Sequence, residues 1–157
     1  MPATQSRFGT DLRLLRDLER RKSSRDPGSD LSTIQRPQTG QVDLETLTGA
    51  DNLVQALLLR FLTSVGELTV LGHPDYGSRL AELIGELNSE TNRNRAKLFV
   101  LQALGAEPRV QKVLSVQVTQ SRKDPTLMDI RVSLKAIDSD TPLNLVFTFS
   151  PERGVTL

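Results

Sequence analysis

The sequence predicts an α+β fold: a small antiparallel sheet of three to four strands packed against about three helices, preceded by an extended N-terminal arm. Two observations predict this class. Apolar residues recur at helical spacing through the middle of the chain, and the hydrophobic period changes to two in its C-terminal third. Because the connections between the alternating segments are short and polar, an antiparallel meander is the expected topology.

The composition limits the functions that the chain can have. Its 157 residues fit one domain, and 20 basic against 19 acidic side chains leave no strong field to attract nucleic acid. With no cysteine, disulfides, thiolate catalysis and cysteine metal sites are excluded. The sequence contains no apolar run of membrane-spanning length and no signal peptide, so we expect assembly in the cytoplasm.

Residues 1–47 are predicted to form an N-terminal arm and linker, and residues 48–157 the main folded domain. The stretch Glu19–Asp30 is rich in charge, serine, proline and glycine, which is typical of a solvated linker. Its basic residues lack interleaved aromatic side chains, so no nucleic-acid partner is expected. Short strands are predicted over Leu31–Pro37 and Val42–Leu47.

The main helix is predicted from Asp51 to Ser64. Thr48 and Asp51 have the spacing of a capping box, and Gly66 supplies the left-handed residue that commonly ends a helix. Two polar residues, Gln55 and Arg60, interrupt the apolar stripe, and we expect both at its edge, with the Arg60 head group in solvent. The stripe consists of Leu53, Val54, Leu57, Leu58, Phe61, Leu62 and Val65.

The remaining elements follow in order. A short apolar-faced helix is predicted around Leu80–Ile84, and a third helix over Ser89–Leu104, which Gly105 ends. Period-two alternation then predicts three half-buried strands, at Leu114–Thr119, Met128–Ala136 and Leu143–Phe149.

A rigid structural turn is predicted at His73, Pro74, Tyr76 and Gly77. Pro74 restricts His73 to extended backbone, and Gly77 permits a reversal. Tyr76, the only tyrosine, is expected to anchor the turn through a buried ring and a hydrogen-bonded hydroxyl. His73 is the only histidine, so a histidine metal cluster is not expected and no metal or cofactor is predicted.

Three motifs occur in this part of the chain: Gly49, Asp51, Asn52, Leu53, Gln55, Ala56, Leu57 and Arg60; Gly66, Glu67 and Leu68; and His73, Pro74, Tyr76, Gly77, Ser78 and Leu80. Together they resemble the baseplate wedge and sheath-initiator family of contractile phage tails, which includes gene W-like proteins and counterparts in phage-derived injection machines. The resemblance continues to Glu107-Pro108-Arg109 and the C-terminal strands. It implies a structural role that links the wedge core bundle to the first sheath ring and initiates sheath assembly.

The resemblance also implies partners and sites. Glu107, Pro108 and Arg109 would form a stiff corner whose charged groups both face outward and contact the helix bundle of the other wedge subunits. A strand would pair with the tail sheath subunit along Leu143, Asn144, Leu145, Val146, Phe147, Thr148 and Phe149. Tube or hub proteins are further expected neighbours, six copies would occupy each baseplate, and no small-molecule substrate is implied.

Two alternatives remain open at this point. A peptidoglycan-cleaving, lysozyme-like enzyme would use the carboxyl groups of Glu67 and Asp75 as acid and nucleophile. The absence of tryptophan and the single tyrosine argue against a sugar-binding groove, and the common catalytic motifs are missing. A stand-alone regulator that binds one protein partner is the other alternative.

Overall fold

The computed structural model describes residues 8–14, 32–137 and 139–156. It confirms the α+β class, with two α-helices and three small antiparallel sheets in these ranges. The chain divides into two compact units, Met1–Gln55 and Ala56–Leu157. The predicted linker Glu19–Asp30 lies outside the described residues.

Two short antiparallel pairs build the first unit. Strand β1 (Thr10–Leu12) pairs with β4 (Thr46–Thr48), and β2 (Thr33–Gln35) pairs with β3 (Val42–Leu44). The strands predicted on either side of Pro37 are therefore present, and the second of them is divided into β3 and β4. Because β4 runs directly into the main helix, the first unit fixes where that helix begins.

Helix α1 (Gly49–Leu62) holds the N-terminal segment through two buried amides. The Gln55 side chain accepts a hydrogen bond from the Leu14 amide at 2.8 Å and donates one to the Leu12 carbonyl at 2.7 Å. Asn52 donates to the Phe8 carbonyl at 2.7 Å. The expectation that Gln55 lies at the edge of the apolar stripe is wrong, since its amide is buried and bonds to the backbone of Leu12 and Leu14.

The second unit contains helix α2 and a four-stranded sheet. Helix α2 (Glu90–Gly105) begins where the Ser89 hydroxyl accepts a hydrogen bond from the Asn92 amide, as an N-cap does. All neighbouring strands are antiparallel, in the order β5 (Val110–Gln120), β6 (Met128–Ala136), β7 (Leu143–Ser150) and β8 (Gly154–Thr156). Thus the three predicted strands are confirmed, and the C-terminal tail adds the fourth.

One face of this sheet carries the core. Alternate residues of β6 and β7 are buried, together with one face of α2. The Phe61 ring, near the end of α1, stacks on Phe147 of β7 with centroids 4.9 Å apart. Burial of this apolar surface, at about 25 cal/mol per Å², is the main term that stabilises the second unit. The buried set includes Ala96, Phe99, Val100, Leu104, Met128, Ile130, Val132, Leu134, Leu145 and Phe149.

Two local features differ from the sequence prediction. The segment around Leu80–Leu83 is a 3₁₀ turn, although Leu80 and Leu83 are buried as expected. Strand β5 begins at Val110 and contains a register shift between Val113 and Ser115. A bulge changes which residues face the core, so Leu114 is exposed although the alternation predicted it inside.

Candidate protein-binding site

The turn that contains His73, Pro74, Tyr76 and Gly77 is fixed to the end of α1. Ser78 donates its amide hydrogen to the Thr63 carbonyl at 2.9 Å and accepts from the Val65 amide at 3.1 Å. Its hydroxyl also donates to the Phe61 carbonyl at 3.1 Å. These bonds satisfy carbonyl groups that a helix end leaves free, and they explain why α1 ends at Leu62 rather than Ser64.

Gly77 is required for this contact because the two backbones approach closely. Its φ is +116°, and a Cβ atom there would lie 2.6 Å from the Thr63 carbonyl oxygen. His73 and Pro74 are exposed on the same turn. The turn therefore carries Tyr76 to a defined place beside the last turn of α1.

Tyr76 and Arg60 form a cation–π contact at that place. The guanidinium carbon of Arg60 lies 4.5 Å from the centroid of the half-buried Tyr76 ring. Burial raises the pKa of the Tyr76 hydroxyl above its usual value. Within the described part of the chain this hydroxyl makes no hydrogen bond, so the ring and not the hydroxyl anchors the turn.

The Glu107-Pro108-Arg109 corner is a tight turn between α2 and β5. The Val110 amide donates to the Glu107 carbonyl at 3.0 Å, which places Pro108 at the second position of the turn. Proline is favoured there because its fixed φ matches the turn geometry. A rigid corner is thus present at the predicted residues.

The carboxylate of Glu107 points into the protein and joins two arginines. One oxygen accepts from Arg109 Nε at 2.7 Å and the other from Arg60 Nη2 at 3.2 Å. Burial alone would raise the pKa of Glu107, but the hydrogen bond and charge of Arg109, with the hydrogen bond from Arg60, lower it overall. The expectation that Glu107 faces outward is wrong, since the residue is only 6% exposed.

We call this cluster of Arg60, Tyr76, Glu107 and Arg109 the arginine corner. Arg60 is 7% exposed, so the prediction of a solvated head group is also wrong. Its Nε atom is buried without a hydrogen bond among the described residues. The side chain of Arg109 is 25% exposed, so it is the part of the arginine corner that is accessible from outside.

Sequence reasoning missed the part that Arg60 plays. The residue lies 47 positions before Glu107, and its surroundings gave only the signal of a basic side chain inside an apolar helical stripe. A buried arginine needs an acidic partner, and this requirement was the one clue to the pairing.

The strand Leu143–Phe149 lies within β7 and is only partly at an edge. Its residues Thr148 and Phe149 pair with β8, whereas the outer side of Leu143–Phe147 has no strand partner within the described ranges. The outer side of β5 is likewise unpaired among those ranges, along its whole length. Among the described residues, β5 and the first part of β7 therefore have outer sides that no strand covers.

The carboxyl groups of Glu67 and Asp75 are both exposed. Glu67 accepts a hydrogen bond from the Ser64 amide at 3.0 Å, so it stabilises the chain just after α1. A glycosidase acid is usually buried in apolar surroundings that raise its pKa, and neither carboxyl group has such burial.

Within residues 8–14, 32–137 and 139–156, no three histidine, cysteine or acidic side chains are grouped in a way that could hold a metal ion. None of the helices in these ranges combines the length and apolar character needed to cross a membrane.

Comparison with known proteins shows the fold. No family model and no curated protein matches the chain. Among solved structures, it is similar to a protein of Geobacter sulfurreducens provisionally named a tail lysozyme, with a TM-score of 0.56 and 22% identity. The match covers 64% of this chain and 88% of the other. The two proteins therefore share an α+β architecture over most of the length of that neighbour.

Proposed function

We propose that this chain is a structural component of the baseplate of a contractile phage tail or tail-like injection particle. It would join the core helix bundle of the wedge to the first sheath ring and initiate sheath assembly. The sequence motifs support this role, and the fold shared with a protein named for a phage tail agrees with it. The observation that carries the proposal is the arginine corner, in which a buried carboxylate orients a partly exposed arginine at a proline-containing turn.

The geometry of the corner suits recognition of a helix bundle. Glu107 orients the Arg109 guanidinium through a 2.7 Å hydrogen bond, and Pro108 limits the backbone. An oriented guanidinium binds carboxylates in a bidentate way and also stabilises the negative C-terminal ends of helices. Because the side chain is held in place before binding, less conformational entropy is lost when a partner docks.

Co-purification tests this role of Arg109. The tagged chain is expressed with the neighbouring tail proteins, and we expect Arg109→Ala to lose wedge partners while keeping a folded circular dichroism spectrum. Arg122→Ala, at an exposed position in the β5–β6 turn, is the matched control and should retain them. Normal recovery of partners with Arg109→Ala would refute the interface, and absence of the chain from purified particles would refute the function.

The sheath contact is proposed at the open part of β7, Leu143–Phe147. An unpaired strand edge offers backbone donors and acceptors to an incoming strand. Amide hydrogen exchange measured with and without the sheath subunit should show slower exchange in this stretch. Protection along β5 instead would place the added strand at the opposite edge of the sheet.

We propose that the role is not enzymatic, although the neighbour carries the name of a lysozyme. The exposure of Glu67 and Asp75 supports this view. Turbidity loss of a peptidoglycan suspension should be equally absent for the wild-type chain and for Glu67→Gln. Clearing by the wild type that Glu67→Gln abolishes would favour the lytic alternative.

A further inference from the structure

Two aliphatic side chains are displayed on a rigid loop between α1 and the Gly77 turn. Val70 is 91% exposed and Leu71 is 70% exposed, both within the 3₁₀ turn Thr69–Leu71. The loop is closed by hydrogen bonds from the amides of Leu71 and His73 to the Leu68 carbonyl, at 3.0 and 3.1 Å. Exposed apolar groups in a fixed geometry are typical of a contact surface. We call Val70 and Leu71 the apolar tip.

The segment that carries the apolar tip is acidic. Glu67 and Asp75 lie on either side of it in sequence, both are exposed, and the segment 66–77 contains no lysine or arginine. Negative charge disfavours anionic membrane surfaces and nucleic acid. A partner that complements the tip would therefore offer apolar side chains surrounded by positive charge.

Helix α2 of the same chain presents such a surface. Leu98 and Leu101 are exposed and lie three residues apart, so they are neighbours on one side of the helix. Lys97 is exposed beside them and forms no ion pair within the described residues. After Glu90 the helix contains no acidic residue. We call Lys97, Leu98 and Leu101 the basic α2 face.

We infer that the apolar tip of one copy docks on the basic α2 face of the next copy. Such a head-to-tail contact joins two different surfaces and generates a ring or an open chain of subunits. The inference rests on the proposed function, in which several copies are held close together in one particle. The two patches consist of two and three side chains, whereas a stable interface buries about 1,000 Å², so the contact needs that high local concentration.

Disulfide trapping tests the contact in the free chain, because the natural sequence contains no cysteine. Leu71→Cys and Leu98→Cys proteins of different tagged mass are mixed in equal amounts at about 1 mM, where weak contacts are populated. Random pairing makes half of all disulfide dimers mixed. If the two patches attract each other, mixed dimers form in excess. We expect the ratio of mixed to self dimers to rise about threefold above the ratio that random pairing gives. Thr141→Cys, at an exposed position in the β6–β7 turn, replaces Leu98→Cys as control and should give random pairing.

Charge reversal tests whether Lys97 of one copy is attracted by Asp75 of the next. Adding Lys97→Glu to the Leu98→Cys protein should remove the excess, and adding Asp75→Lys to the Leu71→Cys protein should restore it. Random pairing of the original two proteins, or a predominance of Leu71→Cys self dimers, would overturn the inference. Failure here leaves the Arg109→Ala co-purification unchanged, so failure of this contact and failure of the proposed function are distinguishable.

Discussion

Replacing Gly77 by alanine tests whether close backbone approach locks the turn onto the end of α1. The new Cβ would lie 2.6 Å from the Thr63 carbonyl oxygen, and 2.8 and 2.9 Å from the carbonyl carbon and oxygen of Ser64. All three atoms belong to backbone, so no side chain can rotate away to make room. The φ of +116° is also unfavourable for alanine.

The expected destabilisation follows from two terms. Positive φ at a residue other than glycine costs about 1–2 kcal/mol. Relief of the clash must separate the two segments and weaken the Ser78–Thr63 and Val65–Ser78 hydrogen bonds, which contribute about 1 kcal/mol each. The free energy of unfolding should therefore fall by about 3–4 kcal/mol.

Gly72→Ala is the matched control. Gly72 has a φ of +86° and no atom within 4 Å of an added Cβ, so alanine there costs only the backbone strain. Urea denaturation should show Gly77→Ala to be less stable than Gly72→Ala by about 2 kcal/mol, with similar m values. Equal destabilisation of the two variants would refute the argument that close approach fixes the turn.

Three further predictions concern buried polar groups. Glu107→Gln should destabilise the chain by about 3 kcal/mol, because two arginines lose their carboxylate partner. The loss is limited because the side chain of Arg109 keeps contact with solvent. A change below about 1 kcal/mol in the free energy of unfolding, measured by urea denaturation, would contradict this. The pKa of Glu107 is lower in the folded than in the unfolded chain, so its ionised form stabilises the fold above the ordinary glutamate pKa, about 4.3. This stabilisation is lost as the pH falls through the pKa of the folded chain. When urea denaturation midpoints are measured against pH, Glu107→Gln should lack this pH-dependent contribution. Gln55→Ala should accelerate hydrogen exchange at the Leu14 amide, whereas Gln117→Ala, at an exposed position on β5, should not.

The sequence by itself determined the α+β class and the positions of the main helices and of the long strands. The apolar stripe of α1 and the alternation in β6 and β7 are local patterns, and each reports which side of an element is buried without knowledge of its neighbours. The bounds of β6, Met128–Ala136, were predicted without error for this reason. The bulge in β5 was not predicted, because a register shift depends on the partner strand.

Only the tertiary structure decided the composition of the arginine corner. The sequence predicted the turn at Glu107-Pro108-Arg109. Arg60 and Tyr76 come from other segments, which packing brings to the same place. Whether Glu107 faces outward or inward depends on that packing, since a carboxylate is buried only where cations compensate the loss of water. Sequence patterns report burial along one element, whereas partners between elements are set by how the elements meet.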